Sequence, residues 1–188
     1  TDKFELRLVA LFHDVAKPRT KRFVESTGWT FHGHEDVGAR MFGHIGRRMR
    51  LSQQQIKYVK KLILLHLRPM QLVDESVTDS AIRRLMVEAG EDIDDLMMLC
   101  RADITSKNPE KVRRYLANFD QVEQKMKEVE EKDHLRNFKL AIDGKIIMDT
   151  LKISPGPQVG RIKQAVTDAV LDGEIPNEEE ACFQYMME

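Results

Sequence analysis

Cysteine and long apolar runs are what this 188-residue sequence has least of. Its two cysteines, Cys100 and Cys182, lie far apart, which excludes a disulfide framework and a Cys-X-X-Cys metal pair and fits a reducing compartment. The longest apolar runs, such as residues 62–65, fall far short of the roughly 20 residues that a membrane span needs. The first residues show no signal-peptide pattern. We therefore expect a soluble, cytoplasmic protein without a membrane partner.

A strong net charge is also lacking, but the two halves of the chain differ in their charge. The formal net charge is −1, whereas residues 1–70 contain 14 basic and 6 acidic side chains. The basic half could attract phosphate groups, or the two halves could neutralise each other across an interdomain face. Composition alone leaves both interpretations open. The basic side chains concerned are Arg19, Lys21, Arg22, Arg40, Arg47, Arg48 and Arg50.

Strand patterns are scarce, and apolar residues recur with helical spacing along most of the chain, so the predicted class is all-α. The first helix is already under way at the first residues, and we expect the chain to be a fragment. Pro18 predicts that this helix ends near Ala16, because a proline disfavours helical backbone in the residue before it. Residues 22–31 predict a short hairpin.

Later helix boundaries have their own sequence signals. A helix is predicted to stop before Pro69, and Asn108 followed by Pro109 predicts the start of a long, exposed helix that runs to about His134. We divide the chain into a body over 1–135 and a small helical tail over 136–188.

Imidazole and carboxylate side chains at predicted helix ends are the strongest functional signal. They are His13, Asp14, His34, His66 and Asp103. Neighbouring helical residues project about 100° apart, so a His-Asp pair can converge on one cation when other helices supply further ligands. Such a nitrogen and oxygen donor set suits Mn, Fe, Ni, Zn or Mg rather than a thiolate-bound structural zinc. The remaining helical histidines, His44 and His134, have no acidic or histidine partner in register, and we interpret them as packed, hydrogen-bonded residues rather than ligands.

The chain resembles the HD superfamily of metal-dependent phosphohydrolases in four segments, taken in order and context: Leu-Phe-His-Asp-Val-Ala-Lys-Pro at 11–18, Phe-His-Gly-His-Glu at 31–35, Leu-Leu-His-Leu-Arg-Pro at 64–69 and Arg-Ala-Asp at 101–103. Essentially the whole chain also resembles the C-terminal part of bacterial tRNA nucleotidyltransferases, the CCA-adding enzymes and their poly(A) polymerase relatives. That narrower resemblance depends on Thr-Lys-Arg-Phe at 20–23, Gly-Trp-Thr-Phe-His-Gly-His-Glu at 28–35, Asp-Ile-Thr-Ser-Lys-Asn at 103–108 and Gly-Glu-Ile-Pro-Asn-Glu at 173–178.

The resemblance implies an HD-domain helical bundle and a role for each residue of the metal site. His13 and Asp14 would be the dyad that names the superfamily, and Asp103 the closing carboxylate. His34 and His66 would be the extra histidines of members that hold two ions, with Asp14 bridging the two. The implied cofactor is a divalent metal, namely Mg, Mn, Ni, Fe or Zn.

The sequence departs from the superfamily pattern at one ligand. Members place a further histidine upstream of the dyad, and residues 1–12 contain none. Either the chain begins after that histidine or the site is degenerate, and the start in mid-pattern favours the first explanation. On this basis the set of Asp14, His34 and His66 is complete, whereas the set that contains His13 and Asp103 lacks a ligand.

Basic side chains near these motifs are the candidates for phosphate contacts. The resemblance places Lys17 beside the substrate phosphate as a catalytic residue, together with Asp14; the alternative is a solvated lysine before a proline. Arg40 and Arg68, with Lys17, are candidates for a phosphate clamp, because arginine makes bidentate contacts. Arg47 and Arg48 are candidates for RNA phosphates. All of these could equally be surface charges.

Two functions remain open at this stage. The first is a metal-dependent phosphohydrolase or phosphodiesterase acting on nucleotide or RNA-end phosphoesters. The second is a non-catalytic, tRNA-binding body and tail that supports a nucleotidyltransferase head, an upstream domain missing from this chain. The expected partners are thus a phosphoester or nucleotide substrate and tRNA. Nucleotide addition itself is not expected here, because Asp92-Ile93-Asp94 is better explained as a helix start than as a nucleotidyltransferase motif.

Overall fold

The computed structural model describes residues 2–73, 77–133, 135 and 138–187. Helices dominate, as predicted. They are α1 (Phe4–Phe12), α2 (Lys17–Thr20), α3 (His34–Arg48), α4 (Gln53–Leu65), α5 (Arg68–Gln71), α6 (Asp79–Ala89), α7 (Ile93–Ala102), α8 (Pro109–Asp133), α9 (Gly144–Leu151), α10 (Pro157–Asp172) and α11 (Glu179–Met187). The strands are β1 (Arg22–Val24) and β2 (Gly28–Thr30).

The strands form the predicted hairpin. They pair antiparallel, with Phe23 directly opposite Trp29. Gly28 directly follows the turn as the first residue of β2 and has a φ of 78°, in the left-handed region that a glycine adopts without steric cost. The hairpin joins α2 to α3 and so lies between two segments that contain predicted metal ligands and Lys17.

Helices α3 and α4 form the closest helix pair of the body. Ser52 begins α4 with a capping box, in which its side chain accepts a hydrogen bond from the Gln55 amide and the Gln55 side chain accepts one from the Ser52 amide. A Cβ added to Gly46 would lie 2.7 Å from Ile56 Cγ1, so α3 approaches α4 as closely as a glycine allows. Because the two helices run in opposite directions, the start of α3 lies beside the end of α4.

Two hydrophobic clusters lie along the chain. The larger one includes fully buried side chains from α1, α3, α4, α7 and α8, namely Val9, Phe42, Leu62, Leu96 and Phe119. The smaller one joins α9, α10 and α11 around Ile142, Ile147, Val166 and Cys182. Arg84 of α6 connects the parts by donating to the carboxylates of Asp168 and Asp172 in α10. Nothing in the described residues amounts to a helix long and apolar enough to cross a membrane.

The region around Pro18 differs from the prediction. Helix α1 ends at Phe12 rather than near Ala16. Lys17, the residue before the proline, is nevertheless helical, since it is the first residue of α2 (Lys17–Thr20) and Pro18 lies in the first turn of that helix. A proline fits there because the first amides of a helix have no intrahelical acceptor. The end of α4 before Pro69 agrees with the prediction. The predicted end of the long helix, His134, lies outside the described residues.

Candidate metal centre

Chain segments at helix ends bring all five predicted ligands to one place. His13 caps the C-terminus of α1 and Asp14 follows it, while His34 is the first residue of α3. His66 caps the C-terminus of α4, and Asp103 caps the C-terminus of α7. Ligands distant in sequence therefore meet where these helix ends converge.

The five side chains form two overlapping sets of three donors. One comprises Asp14, His34 and His66, the other His13, Asp14 and Asp103, and within each set the donor atoms lie within 4.8 Å of one another. In the first set, His34 Nε2 lies 3.2 Å from His66 Nε2 and 3.3 Å from Asp14 Oδ1. In the second, His13 Nε2 lies 3.1 Å from Asp103 Oδ1. Asp14 belongs to both sets.

The protonation pattern of the three rings leaves the Nε2 atoms free to act as ligands. In each ring Nδ1 donates to the main-chain carbonyl three residues earlier, from His13 to Ala10 at 2.9 Å, from His34 to Phe31 at 2.8 Å and from His66 to Ile63 at 2.6 Å. A carbonyl oxygen can only accept, so Nδ1 holds a proton and Nε2 is the ring nitrogen left to bind an ion. Outer hydrogen bonds of this kind orient metal-binding histidines.

Asp14 adds negative charge to this cluster of lone pairs. Its Oδ2 accepts a hydrogen bond from Lys17 Nζ at 2.6 Å, whereas its Oδ1 is buried and has no hydrogen-bond partner among the described residues. Burial opposes ionisation, but the Lys17 hydrogen bond and the neighbouring His13, Lys17 and His34 hold the pKa of Asp14 below its ordinary value. A buried, ionised oxygen without a hydrogen-bond partner is costly unless a cation lies beside it.

His66 is kept in the form that binds metals. Burial lowers the pKa of its imidazole, and although its hydrogen bond to Ile63 opposes that shift, the neighbouring His13 and His34 lower it further. A neutral imidazole is the ligand form, since a proton on Nε2 would compete with the ion. Two ligands about 2.1 Å from one ion are about 3.2 Å apart at an angle near 100°, so the observed nitrogen separation suits a shared ion. The donor set therefore fits a divalent metal.

Comparison with known proteins places the chain in a family. Residues 43–186 match the family described as tRNA nucleotidyltransferase domain 2, putative. The chain belongs to this family. The matched range of this tRNA nucleotidyltransferase family member contains His66 and Asp103 and begins after His13, Asp14 and His34. The HD assignment consequently depends on the motifs and their geometry, and it remains a prediction.

Two curated relatives cover nearly the whole chain. It is 31% identical over 180 residues to the CC-adding tRNA nucleotidyltransferase of Thermus thermophilus and, equally, to the A-adding tRNA nucleotidyltransferase of Deinococcus radiodurans. Each alignment covers 94% of this chain but only 38% and 40% of the respective relative, so the chain spans about two fifths of their length. No solved structure matches.

Of the basic candidates, Lys17 is the one that the structure brings to the metal donors. Arg40 lies on the exposed side of α3 and pairs with Asp36 at 2.6 Å. Arg68 opens α5, and its guanidinium lies 3.3 Å from Glu88. These ion pairs do not test the phosphate-clamp hypothesis, which stays a prediction.

Arg47 and Arg48 lie at the far end of α3. Thirteen residues separate Arg47 from His34. At 1.5 Å per residue, this end of the helix is roughly 20 Å from the metal centre. Arg47 also donates to His44 Nδ1 at 3.1 Å, so His44 is an exposed, hydrogen-bonded residue rather than a packed one.

Two neighbours of the donor set were missed from sequence. Cys100 donates its thiol hydrogen to the His66 carbonyl at 3.1 Å, burial raises the pKa of that thiol to about 12, and neither donor set includes it. Its spacing of three residues before Asp103, on one side of α7, is the signal that could have found it. Glu35 has a buried Oε2 that lies 3.7 Å from His34 Nδ1 and has no hydrogen-bond partner among the residues described.

A cavity of about 340 Å³ opens beside the metal donors. Its lining includes His66 and Asp103 from the donor set, together with Cys100, Tyr115 and Phe119. Cavities of roughly 300–1,000 Å³ hold small organic ligands. The metal centre thus adjoins a space of the size of a small phosphoester.

Proposed function

We propose that this centre is a metal-dependent phosphohydrolase or phosphodiesterase site of the HD type, acting on nucleotide or RNA-end phosphoesters, in a protein related to tRNA nucleotidyltransferases. The observation that carries the proposal is the buried Asp14 Oδ1, which has no hydrogen-bond partner among the described residues and lies 3.3 Å from His34 Nε2. A purely structural packing arrangement would leave this oxygen unsatisfied. A divalent cation would satisfy it together with the neighbouring ring nitrogens.

The residues divide into ligands and a phosphate contact. Asp14, His34 and His66 would hold one ion, and His13, Asp14 and Asp103 a second. A bound divalent ion lowers the pKa of a coordinated water to about 7 and neutralises charge on phosphoryl oxygens. In hydrolysis at such a site, a bond would form between the water oxygen and phosphorus, the ester P–O bond would break, and the proton lost by the water would pass to the leaving oxygen.

Lys17 supplies the positive charge for the phosphate group. Its ammonium has three N–H donors, of which Asp14 uses one. The remaining donors can contact a phosphate oxygen next to the ions. The cavity beside His66 and Asp103 would hold the organic part of the ester.

The second candidate is a non-catalytic tRNA-binding module that supports a nucleotidyltransferase head. The observation that favours it is the family match over 43–186, which includes the tail but leaves out three of the five ligands. In that case the metal would stabilise the fold, and the basic residues would contact tRNA.

Metal content and hydrolysis, measured on the same samples, distinguish the two. Wild type, Asp14→Ala and Asp149→Ala are reconstituted with Mn²⁺, analysed for bound metal and assayed with bis(p-nitrophenyl) phosphate. Asp149 is an exposed aspartate of α9 and serves as the matched control. We expect metal and EDTA-sensitive hydrolysis in wild type and Asp149→Ala, and neither in Asp14→Ala. Metal without hydrolysis in wild type would favour the tRNA-binding module. Equal metal in all three proteins would mean that the donors are not ligands.

A further inference from the structure

The β1–β2 hairpin exposes two large aromatic rings on one face. Phe23 and Trp29 are direct cross-strand partners, and their rings lie 5.3 Å apart at 70°. They are 62% and 59% exposed. Large apolar side chains are usually buried, and an exposed group of them often marks an interaction site. The edge-to-face contact fixes both rings in place while leaving their outer surfaces in solvent.

Basic side chains lie near these rings, one of them in space and others in the neighbouring sequence. Lys21 Nζ lies 4.1 Å from the centre of the Trp29 ring. Lys21 is two residues before Phe23 and thus on the same face of the strand. Residues 17–32 include four basic side chains and a single acidic one, Glu25. Proteins that bind unpaired nucleic acid combine aromatic rings for the bases with cations for the phosphates. A purely apolar protein partner would gain nothing from the cations.

The hairpin is joined directly to the metal centre. Phe31 follows Trp29 by two residues, and its carbonyl accepts hydrogen bonds from His34 Nδ1 at 2.8 Å and from the Thr20 hydroxyl at 3.4 Å. Lys17 Nζ lies 5.9 Å from the Phe31 ring centre and 2.6 Å from Asp14 Oδ2. A strand of nucleotides on the aromatic face would therefore end close to Asp14.

We propose that the hairpin face formed by Lys21, Phe23 and Trp29 binds unpaired nucleotides at an RNA end, with bases stacked on the two rings and phosphates held by Lys21. Whether the bound RNA end is then hydrolysed rests on the proposed function. The binding itself does not, because it needs no metal.

Trp29 is the only tryptophan of the chain, so its fluorescence reports directly on this face. Metal-free protein in EDTA is titrated with an eight-nucleotide oligoadenylate RNA and with an abasic oligomer of equal length. We expect the RNA to quench the fluorescence and the abasic oligomer to bind at least about 5-fold more weakly, because stacking contributes substantially for each base.

Variants then test the rings themselves, with binding followed by the anisotropy of labelled RNA. Phe23→Ala and Trp29→Ala should each weaken binding by about 5- to 100-fold, and Trp29→Phe should retain most of it. Phe4→Ala is the control, because Phe4 of α1 is 51% exposed but lies outside the hairpin. Circular dichroism checks that each variant is folded.

Three results would overturn the proposal: equal affinity for RNA and abasic oligomer, equal affinity for an eight-base-pair duplex, or alanine variants that bind like Phe4→Ala. Hydrolysis of bis(p-nitrophenyl) phosphate reports the metal centre separately. RNA binding that depends on the rings, in a protein that hydrolyses nothing, would contradict the proposed function and leave the hairpin proposal intact.

Discussion

The Nε2 atoms of His34 and His66 lie 3.2 Å apart, and both rings donate through Nδ1 to main-chain carbonyls. The two histidines are 32 positions apart in the sequence and meet because α3 and α4 run in opposite directions. This separation suits two imidazole ligands of one ion. The antiparallel helix pair therefore holds two ligands ready for one ion.

Substitution of single ligands should separate the two metal positions. His66→Ala should lower affinity at the Asp14/His34/His66 position by more than the roughly 10- to 100-fold that loss of an outer-shell partner costs. Asp103→Ala should affect the other position only, and Asp14→Ala should remove both. The Asp14/His34/His66 position should dominate, because the unpartnered Asp14 oxygen faces it.

Equilibrium dialysis with Mn²⁺, followed by elemental analysis, measures these stoichiometries. His44→Ala is the matched control, since His44 is exposed and belongs to neither donor set. A larger loss of metal in Asp103→Ala than in His66→Ala would reverse the expected order of the two positions.

Lys17 should matter more for hydrolysis than for metal binding at the Asp14/His34/His66 position. Its ammonium contacts Asp14 Oδ2 and not Oδ1, the oxygen 3.3 Å from His34 Nε2, so removal of Lys17 leaves the donor atoms of that position in place. Lys17→Ala should lower the kcat for bis(p-nitrophenyl) phosphate by about 10²- to 10³-fold, the usual cost of losing one donor to a developing oxyanion. Kinetics and metal analysis on one preparation check this. Wild-type turnover in Lys17→Ala would support the interpretation of a solvated lysine.

Local signals in the sequence predicted the fold well where a few neighbouring residues decide the structure. Asn108 accepts hydrogen bonds from the amides of Glu110 and Lys111, and α8 begins at Pro109 as expected. The hairpin was likewise predicted from adjacent residues. Around Pro18 the local rule failed, because a proline that ends one helix can equally occupy the first turn of the next, and packing decides between the two.

The members of the candidate metal site were proposed from their positions at helix ends and from the motif resemblance, which also implied two sets that share Asp14. No spacing in the sequence by itself indicates that His34 meets His66. Cys100 was missed because its contact with the His66 carbonyl depends on how α4 and α7 pack. Glu35 adjoins His34 in the sequence, but no sequence signal indicates that its Oε2 is buried.

Substitution of Arg47 and Arg48 tests whether the basic half of the chain, residues 1–70, binds tRNA phosphates. They lie far from the metal centre, and none of the described acidic residues of 71–188 lies within salt-bridge distance of them. If they contact tRNA phosphates, changing both to Glu should reduce the slope of log affinity against log salt by up to about 1.8. Filter binding of tRNA at several salt concentrations measures the slope.

The matched control reverses the charge of two lysines that lie outside the basic half. Lys127 and Lys132 are exposed on α8, outside the basic half, and Lys127→Glu with Lys132→Glu changes the net charge equally. An equal effect of both double variants would indicate a general charge effect. Salt-independent binding, or none, would favour neutralisation between the halves.

Two glycines of α3 should respond to alanine in opposite directions. An added Cβ at Gly46 would lie 2.7 Å from Ile56 Cγ1 and 3.3 Å from a ring carbon of Phe42, both buried side chains. At Gly43 the nearest atom would be Lys60 Cδ at 3.6 Å, an ordinary contact with a flexible side chain. Alanine favours helix by up to about 1 kcal/mol over glycine, whereas overpacking a core costs about 1–3 kcal/mol.

Gly43→Ala should therefore raise the unfolding temperature and Gly46→Ala should lower it, by about 2–4 °C for each kcal/mol in a chain of this size. Thermal unfolding followed by circular dichroism measures both. Because α3 and α4 place His34 and His66 at the same end of the pair, Gly46→Ala should also weaken Mn²⁺ binding, whereas Gly43→Ala should leave it unchanged. Stabilisation by both alanines would show that α4 can shift at Ile56 and that the close approach at Gly46 does not fix the spacing of the two ligands.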